Sequence, residues 1–122
     1  MPQRETVRVR GYQELLRASR QLPTNTRREL RAVFRDVGEL VRSDAAARFT
    51  PIDARSAAGY KVSVTQRGIA VRQSLRKTTG KRPDYGALQM RRALLPALDS
   101  HEAETMRRLD EALDKVVELW EL

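Results

Sequence analysis

The stretch YKVSVTQRGIAV, residues 60–71, decides what kind of fold this chain can adopt. Tyr60, Val62 and Val64 fall on one side of an alternating segment, and Lys61, Ser63 and Thr65 fall on the other. A period of two belongs to a half-buried strand, because successive side chains of extended backbone point to opposite faces. Ile69 and Val71 resume the alternation after Gln66-Arg67-Gly68, where glycine supplies the left-handed residue of a three-residue hairpin connection. The spacing predicts a β-hairpin.

Toward the N-terminus the period changes. Leu30, Val33, Phe34, Val37, Val41, Ala45 and Phe49 recur at steps of three and four, one stripe along a long helix. Thr26 and Glu29 have capping-box spacing at its start, and Thr50-Pro51 closes it, since the residue before a proline is pushed out of helical geometry. Arg27, Arg28, Arg31, Arg35 and Arg42 occupy its other side. Upstream, TVRVRG (residues 6–11) alternates valine with arginine and reads as a short strand. YQELLRASRQL (residues 12–22) then places Tyr12, Leu15, Leu16, Ser19 and Leu22 on one side of a short helix stopped by Pro23.

Downstream of the long helix, PIDARSAAG (residues 51–59) has turn residues and no period, and is expected to be a loop. RQSLRKTTGKRPDYG (residues 72–86) is basic and aperiodic, which predicts a flexible basic loop over about 73–86. The apolar run 93–98 contains Pro96. A final helix is expected from Asp99 or Ser100, with Glu102 and Glu104 near its positive end and a core-facing stripe of Met106, Leu109, Leu113, Val116, Val117 and Trp120. The expected fold class is α+β, one domain over residues 1–122: a small antiparallel sheet with a long central helix and a C-terminal amphipathic helix packed on it.

Charge is unevenly spread. The chain carries 24 Lys/Arg against 16 Asp/Glu, a net +8, yet residues 99–122 hold eight acids and three bases. A basic body and an acidic tail are unlike patches, suited to head-to-tail self-assembly or to a basic face for nucleic acid; solvated helix faces of differing sign are the plain alternative. Charged residues make up 33%, above the usual quarter, and imply a large solvated or partner-facing surface. The absence of cysteine excludes disulfides, thiol nucleophiles and cysteine-ligated zinc, and fits a reducing compartment. With no long apolar run and no signal-type segment near Met1, a soluble chain without a membrane partner is expected.

Little here suggests catalysis, and no cofactor is implied. His101 is the sole histidine, with Glu104 three residues on as a poor partner for metal or proton work. Neither a phosphate-cradling glycine pattern nor a serine elbow occurs. Asp110, Asp114 and Glu118 form one helical row that reads as a solvated or partner-facing acidic edge. Arg76, Lys77, Lys81 and Arg82 in the basic loop, with Arg27, Arg31 and Arg35 on the long helix, are the candidates for contacting a protein partner or a DNA backbone.

The ordered set VRVRGYQELLRASRQLP, RRELRAVFRDVGELVRSDAAARFTP, YKVSVTQRGIAV and RRALLPALDSHEAETMRRLDEAL resembles the small tail-completion or neck proteins that join heads to tails in long-tailed bacteriophages. The resemblance spans nearly the whole chain: opening strand, glycine, short helix and Leu-Pro; a long helix with an alanine-rich end; paired strands; and a Leu-x-Pro-Ala-Leu-Asp segment before the last helix. Two departures stand out. ARSAAGYKV keeps only Gly-x-x-Val of the usual Thr-Gly-x-Leu segment, and DYGALQMRR retains Tyr85 without the acid-aromatic-glycine group. The resemblance implies a non-enzymatic virion protein, made in the host cytoplasm. It implies a ring, six-fold, between connector and tail terminator, with double-stranded DNA in its lumen. Pro96 is then expected to fix the direction of the chain ahead of the last helix, with Leu95, Leu98 and Trp120 as structural anchors. A small non-specific DNA-binding protein is the alternative.

Overall fold

A computed structural model describes residues 5–65, 67–75 and 85–121, apart from the side chains at 85, 116 and 119–121. The chain runs β1 (Thr6–Val9), α1 (Tyr12–Ala18), a 3-10 turn (Ser19–Gln21), α2 (Thr24–Phe49), α3 (Ala54–Ala58), β2 (Tyr60–Thr65) and β3 (Gly68–Gln73). It ends with α4 (Tyr85–Gln89), a π-helical segment (Met90–Leu94), α5 (Leu95–Ser100) and α6 (Glu102–Glu121). The architecture is α+β, as the two periods predict. Of the basic loop expected at about 73–86, Gln73 belongs to β3 and Tyr85 and Gly86 belong to α4, which corrects both ends of that expectation; residues 76–84, including Arg76, Lys77, Lys81 and Arg82, lie outside the described residues.

The hairpin pairs Tyr60 with Gln73 through to Thr65 with Gly68, so two residues rather than the expected three separate the strands, and Gly68, at a positive φ of 121°, is the first residue of β3. β3 is the central strand, with β1 antiparallel on its other edge. This register lines up Val7, Val71 and Val62 in one cross-strand row and Val9, Ile69 and Val64 in the next. Those rows form the buried face of the sheet, and α2 lies across it, sending Leu30, Phe34, Val37, Val41, Ala45 and Phe49 into the core. The stripe read from the sequence therefore faces inward, with Val33 half-buried at its margin.

Gly38 is where helix and sheet come closest. A Cβ added there would stand 2.5 Å from Val62 Cγ1 and 3.0 Å from Ile69 Cγ2, both on β-branched side chains with little rotamer freedom. Helix propensity alone favours alanine over glycine by about 1 kcal/mol. Overpacking against a stiff wall costs about 1–3 kcal/mol and outweighs it. Gly38→Ala is expected to destabilise the fold by about 1–2 kcal/mol in urea denaturation; a gain in stability would show that α2 can lift off the hairpin freely.

Several local expectations are corrected. The Thr26–Glu29 capping box is not used: α2 begins at Thr24 with Pro23 at the N-cap position and no side-chain cap. Proline has already fixed φ there, so the helix starts three residues early. The segment 51–59 is not all loop. Asp53 accepts from Arg55 N–H at 3.2 Å and from Ser56 Oγ at 2.9 Å and so caps the one-turn α3, too short to show a period.

The Pro96 region differs most. Residues 85–100 are helical throughout, so the proline makes no turn. It sits in the first turn of α5, directly after the π-helical segment. A proline inside a regular helix loses one N–H bond and collides with the carbonyl four residues back; a π turn at that point opens the ladder where this occurs. The helical run breaks instead at His101, so the last helix starts at Glu102 rather than at Asp99 or Ser100.

This continuous helix also reassigns the anchors. Leu94 and Ala97 are fully buried and Leu98 packs against the core, but Leu95 is 44% exposed, because its neighbours on the rod take the inward positions. Leu95 is not an anchor. Pro96 is half-buried, and the side chain of Trp120 lies outside the described residues.

Helix α6 docks on the body through Thr105, Leu109 and Ala112. Tyr12 Oη donates to the Thr105 carbonyl at 2.8 Å, and the Tyr12 ring meets Phe34 edge-on at 5.4 Å. Gly11, in the left-handed region at φ 93°, lets Leu109 approach so closely that a Cβ would stand 2.5 Å from Leu109 Cδ2. Three other members of the expected stripe do not follow Leu109 inward, and the side chains of Val116 and Trp120 lie outside the described residues. Met106, Leu113 and Val117 are 41%, 42% and 53% exposed.

Candidate functional site

Among the described residues, three surfaces concentrate the unsatisfied chemistry, and helical or strand periodicity builds each of them. The first is the outward side of α6. Asp110, Asp114 and Glu118 recur every four residues and are all exposed, so they form one acidic row. None of the three takes part in an ion pair among the described residues. The arginines of this helix are committed elsewhere: Arg107 binds Glu104 and Glu111, and Arg108 donates from Nε to Glu104 at 2.9 Å. Those two guanidinium groups hold the Glu104 carboxyl down to about 2. Beside the acidic row run the exposed Met106, Leu113 and Val117. The C-terminal half of α6 thus presents an apolar strip edged with carboxylates.

The second surface lies on α2. Arg27, Arg31 and Arg35 also recur every four residues and form a basic row. Arg31 Nη1 donates to the Val64 carbonyl at 3.2 Å, which ties the middle of the row to the end of β2. Arg27 Nη2 donates to Thr24 Oγ1 at 3.2 Å, while its Nε is buried with no acceptor. Arg27 and Arg31 line a cleft of about 230 Å³ with Leu16, Ser19 and Arg20. No carboxylate among the described residues pairs with Arg20, Arg27, Arg31 or Arg35; further along α2, Arg42 is taken up by Glu39 and Arg48 by Asp44.

The third surface was not legible in the sequence. The outer face of the sheet carries Lys61 directly opposite Arg72, with Arg8 one pleat along on β1, all exposed and without an acidic partner among the described residues. Like charges facing each other across a ladder are unfavourable unless something neutralises them. The alternation of 60–65 put Lys61 outward, but only the strand order β1-β3-β2 brings Arg72 and Arg8 beside it.

His101 belongs to none of these surfaces. Its Nε2 lies 3.1 Å from Asp44 Oδ2, and Arg48 Nη2 donates to Ser100 Oγ at 2.8 Å. The cluster clamps the corner before α6 onto the last turns of α2, a structural task the sequence spacing to Glu104 does not reveal. Among the described residues no group of three His, Asp or Glu side chains is placed to hold a metal ion, and no helix is long and apolar enough to cross a membrane.

Between α2 and α6 a second cleft of about 320 Å³ is walled by Leu30, Val33, Ala112, Arg107, Arg108 and Lys115. Its floor is apolar and its rim is charged, with Glu111 among the three cations. Chemically, the arrangement supports recognition by charge and apolar contact. Comparison with protein-family models, with curated proteins and with solved structures returned no match.

Proposed function

We propose that this chain is a structural, non-enzymatic component of the head–tail junction of a long-tailed phage, where copies assemble as a ring between connector and tail terminator. The observation that carries the reading is the pair of unneutralised rows of opposite sign, on α2 and α6, beside an exposed apolar strip. Unlike patches on one chain support heterologous contacts, and such contacts close into rings when the rotation allows. The ordered motifs supply the junction, and with it the connector, the terminator and a virion location. Quantitative mass spectrometry of purified particles from the source strain tests it. A low, fixed number of copies per portal ring is expected; absence from particles overturns the reading.

A second reading, non-specific binding to the DNA backbone, is favoured by Lys61, Arg72 and Arg8 on the open sheet face. A phosphate-binding surface shows a log–log fall of affinity with salt whose slope approaches the number of phosphates neutralised. On this reading Lys61→Ala/Arg72→Ala reduces the slope by about 2. Absence of DNA binding at low salt would dispose of it.

A further inference from the structure

The two rows share one geometry. Arg27, Arg31 and Arg35 occupy positions i, i+4 and i+8 of α2, and Asp110, Asp114 and Glu118 occupy the same positions of α6. At 1.5 Å rise per residue each row advances in steps of about 6 Å, so three cations and three carboxylates are spaced alike. Within one molecule they cannot meet. The acidic row lies roughly half a turn round α6 from Thr105, Leu109 and Ala112, the residues that dock it on the body, so it points away from the docked face, and no ion pair joins the two rows among the described residues.

We infer that α6 of one copy lies across the N-terminal half of α2 of the next, pairing Asp110, Asp114 and Glu118 with Arg27, Arg31 and Arg35. This interface rests on the assembly reading above and names its contact surface. Both rows are i±4 ridges, and such ridges run parallel when two helices cross at about −50°, the commonest packing class. Met106, Leu113 and Val117, on the flank of the acidic row, then leave water at the same contact. The open cleft edged by Arg20, Arg27 and Arg31 marks where an incoming carboxylate is received. Because the two surfaces differ, every copy keeps one free surface of each kind, and the contact propagates until it closes.

Reciprocal charge reversal tests the pairing. One full-length variant carries Arg31→Glu and Arg35→Glu, and so has acidic surfaces on both helices. The other carries Asp110→Lys and Asp114→Lys, and has basic surfaces on both. Sedimentation velocity at low ionic strength is expected to show concentration-dependent association of the parent chain, weakened by salt. Each variant alone associates about tenfold less or worse, and an equimolar mixture of the two regains the association, because acidic α2 meets basic α6 and the reverse. A parent chain that stays monomeric at all concentrations, or a mixture no better than its parts, overturns the interface. Circular dichroism of each variant separates misfolding from lost pairing. If the α2 variant instead loses only DNA binding, the arginine row serves phosphates and the interface fails. Presence in particles is read independently, so a failed interface leaves the junction role standing, and absence from particles leaves the interface standing.

Discussion

Phe34→Ala is expected to destabilise the protein by about 3–5 kcal/mol, the usual cost of emptying a fully buried aromatic site. Phe34 has no exposed surface, and it holds the Tyr12 ring edge-on while its own helix lies across the sheet. Its loss leaves a cavity bordered by α1, α2 and the Tyr12–Thr105 contact that secures α6. Small domains have total stabilities of about 5–15 kcal/mol, so a large fraction goes with one ring. The midpoint of thermal unfolding should fall by about 10–20 °C for a chain of this size. Leu113→Ala on the exposed strip is the control, with a change within about 0.5 kcal/mol. Equal losses at the two sites would show that α6 packs differently in solution.

Alkaline pH should act through Tyr12. Burial pushes its phenol from the ordinary value of 10 up to about 12, with Arg108 acting in the opposite direction. The folded state thus favours the neutral phenol, and the direction of the pH dependence follows. The associated stability is fully present below pH 10, where Tyr12 is neutral folded or unfolded, and is lost as pH rises from about 10 to about 12. A displacement of this size corresponds to about 3 kcal/mol. Urea denaturation at stepped pH should show that decline, and Tyr12→Phe should flatten it while costing about 1 kcal/mol near neutrality for the lost hydrogen bond. An unchanged alkaline slope in the phenylalanine variant would assign the loss to other groups.

What the sequence discloses depends on the range over which each interaction acts. The α2 stripe and the 60–71 hairpin are set by neighbours within a turn or a ladder step, so their periods stand in the text of the chain. The partner of β1 is not local: nothing in TVRV names Val71 rather than Val62, and the order β1-β3-β2 appears only in the fold. Pro96 reads as a breaker because its effect on the helix ladder is judged against a regular helix, and a π turn removes that conflict. The α6 stripe was legible as amphipathic, but amphipathicity says only that a face is apolar. Leu109 finds its cover within the chain, whereas Leu113 and Val117 do not. Of the candidate site, both charged rows were readable from helical spacing. The basic sheet face required the register.

The placement of β1 has a consequence for how the chain is born. Val7 leaves the ribosome well before its ladder partner Val71, which is synthesised only after α1, α2, α3 and β2. At ordinary rates of translation that interval is on the order of 3–13 s, long against hairpin closure, which takes microseconds. The hairpin can close and receive α2 while the N-terminal strand still waits. Strand β1 therefore joins a sheet edge already made, late in folding though early in synthesis, and until it arrives the free edge of β3 is the part of the nascent molecule most open to mispairing.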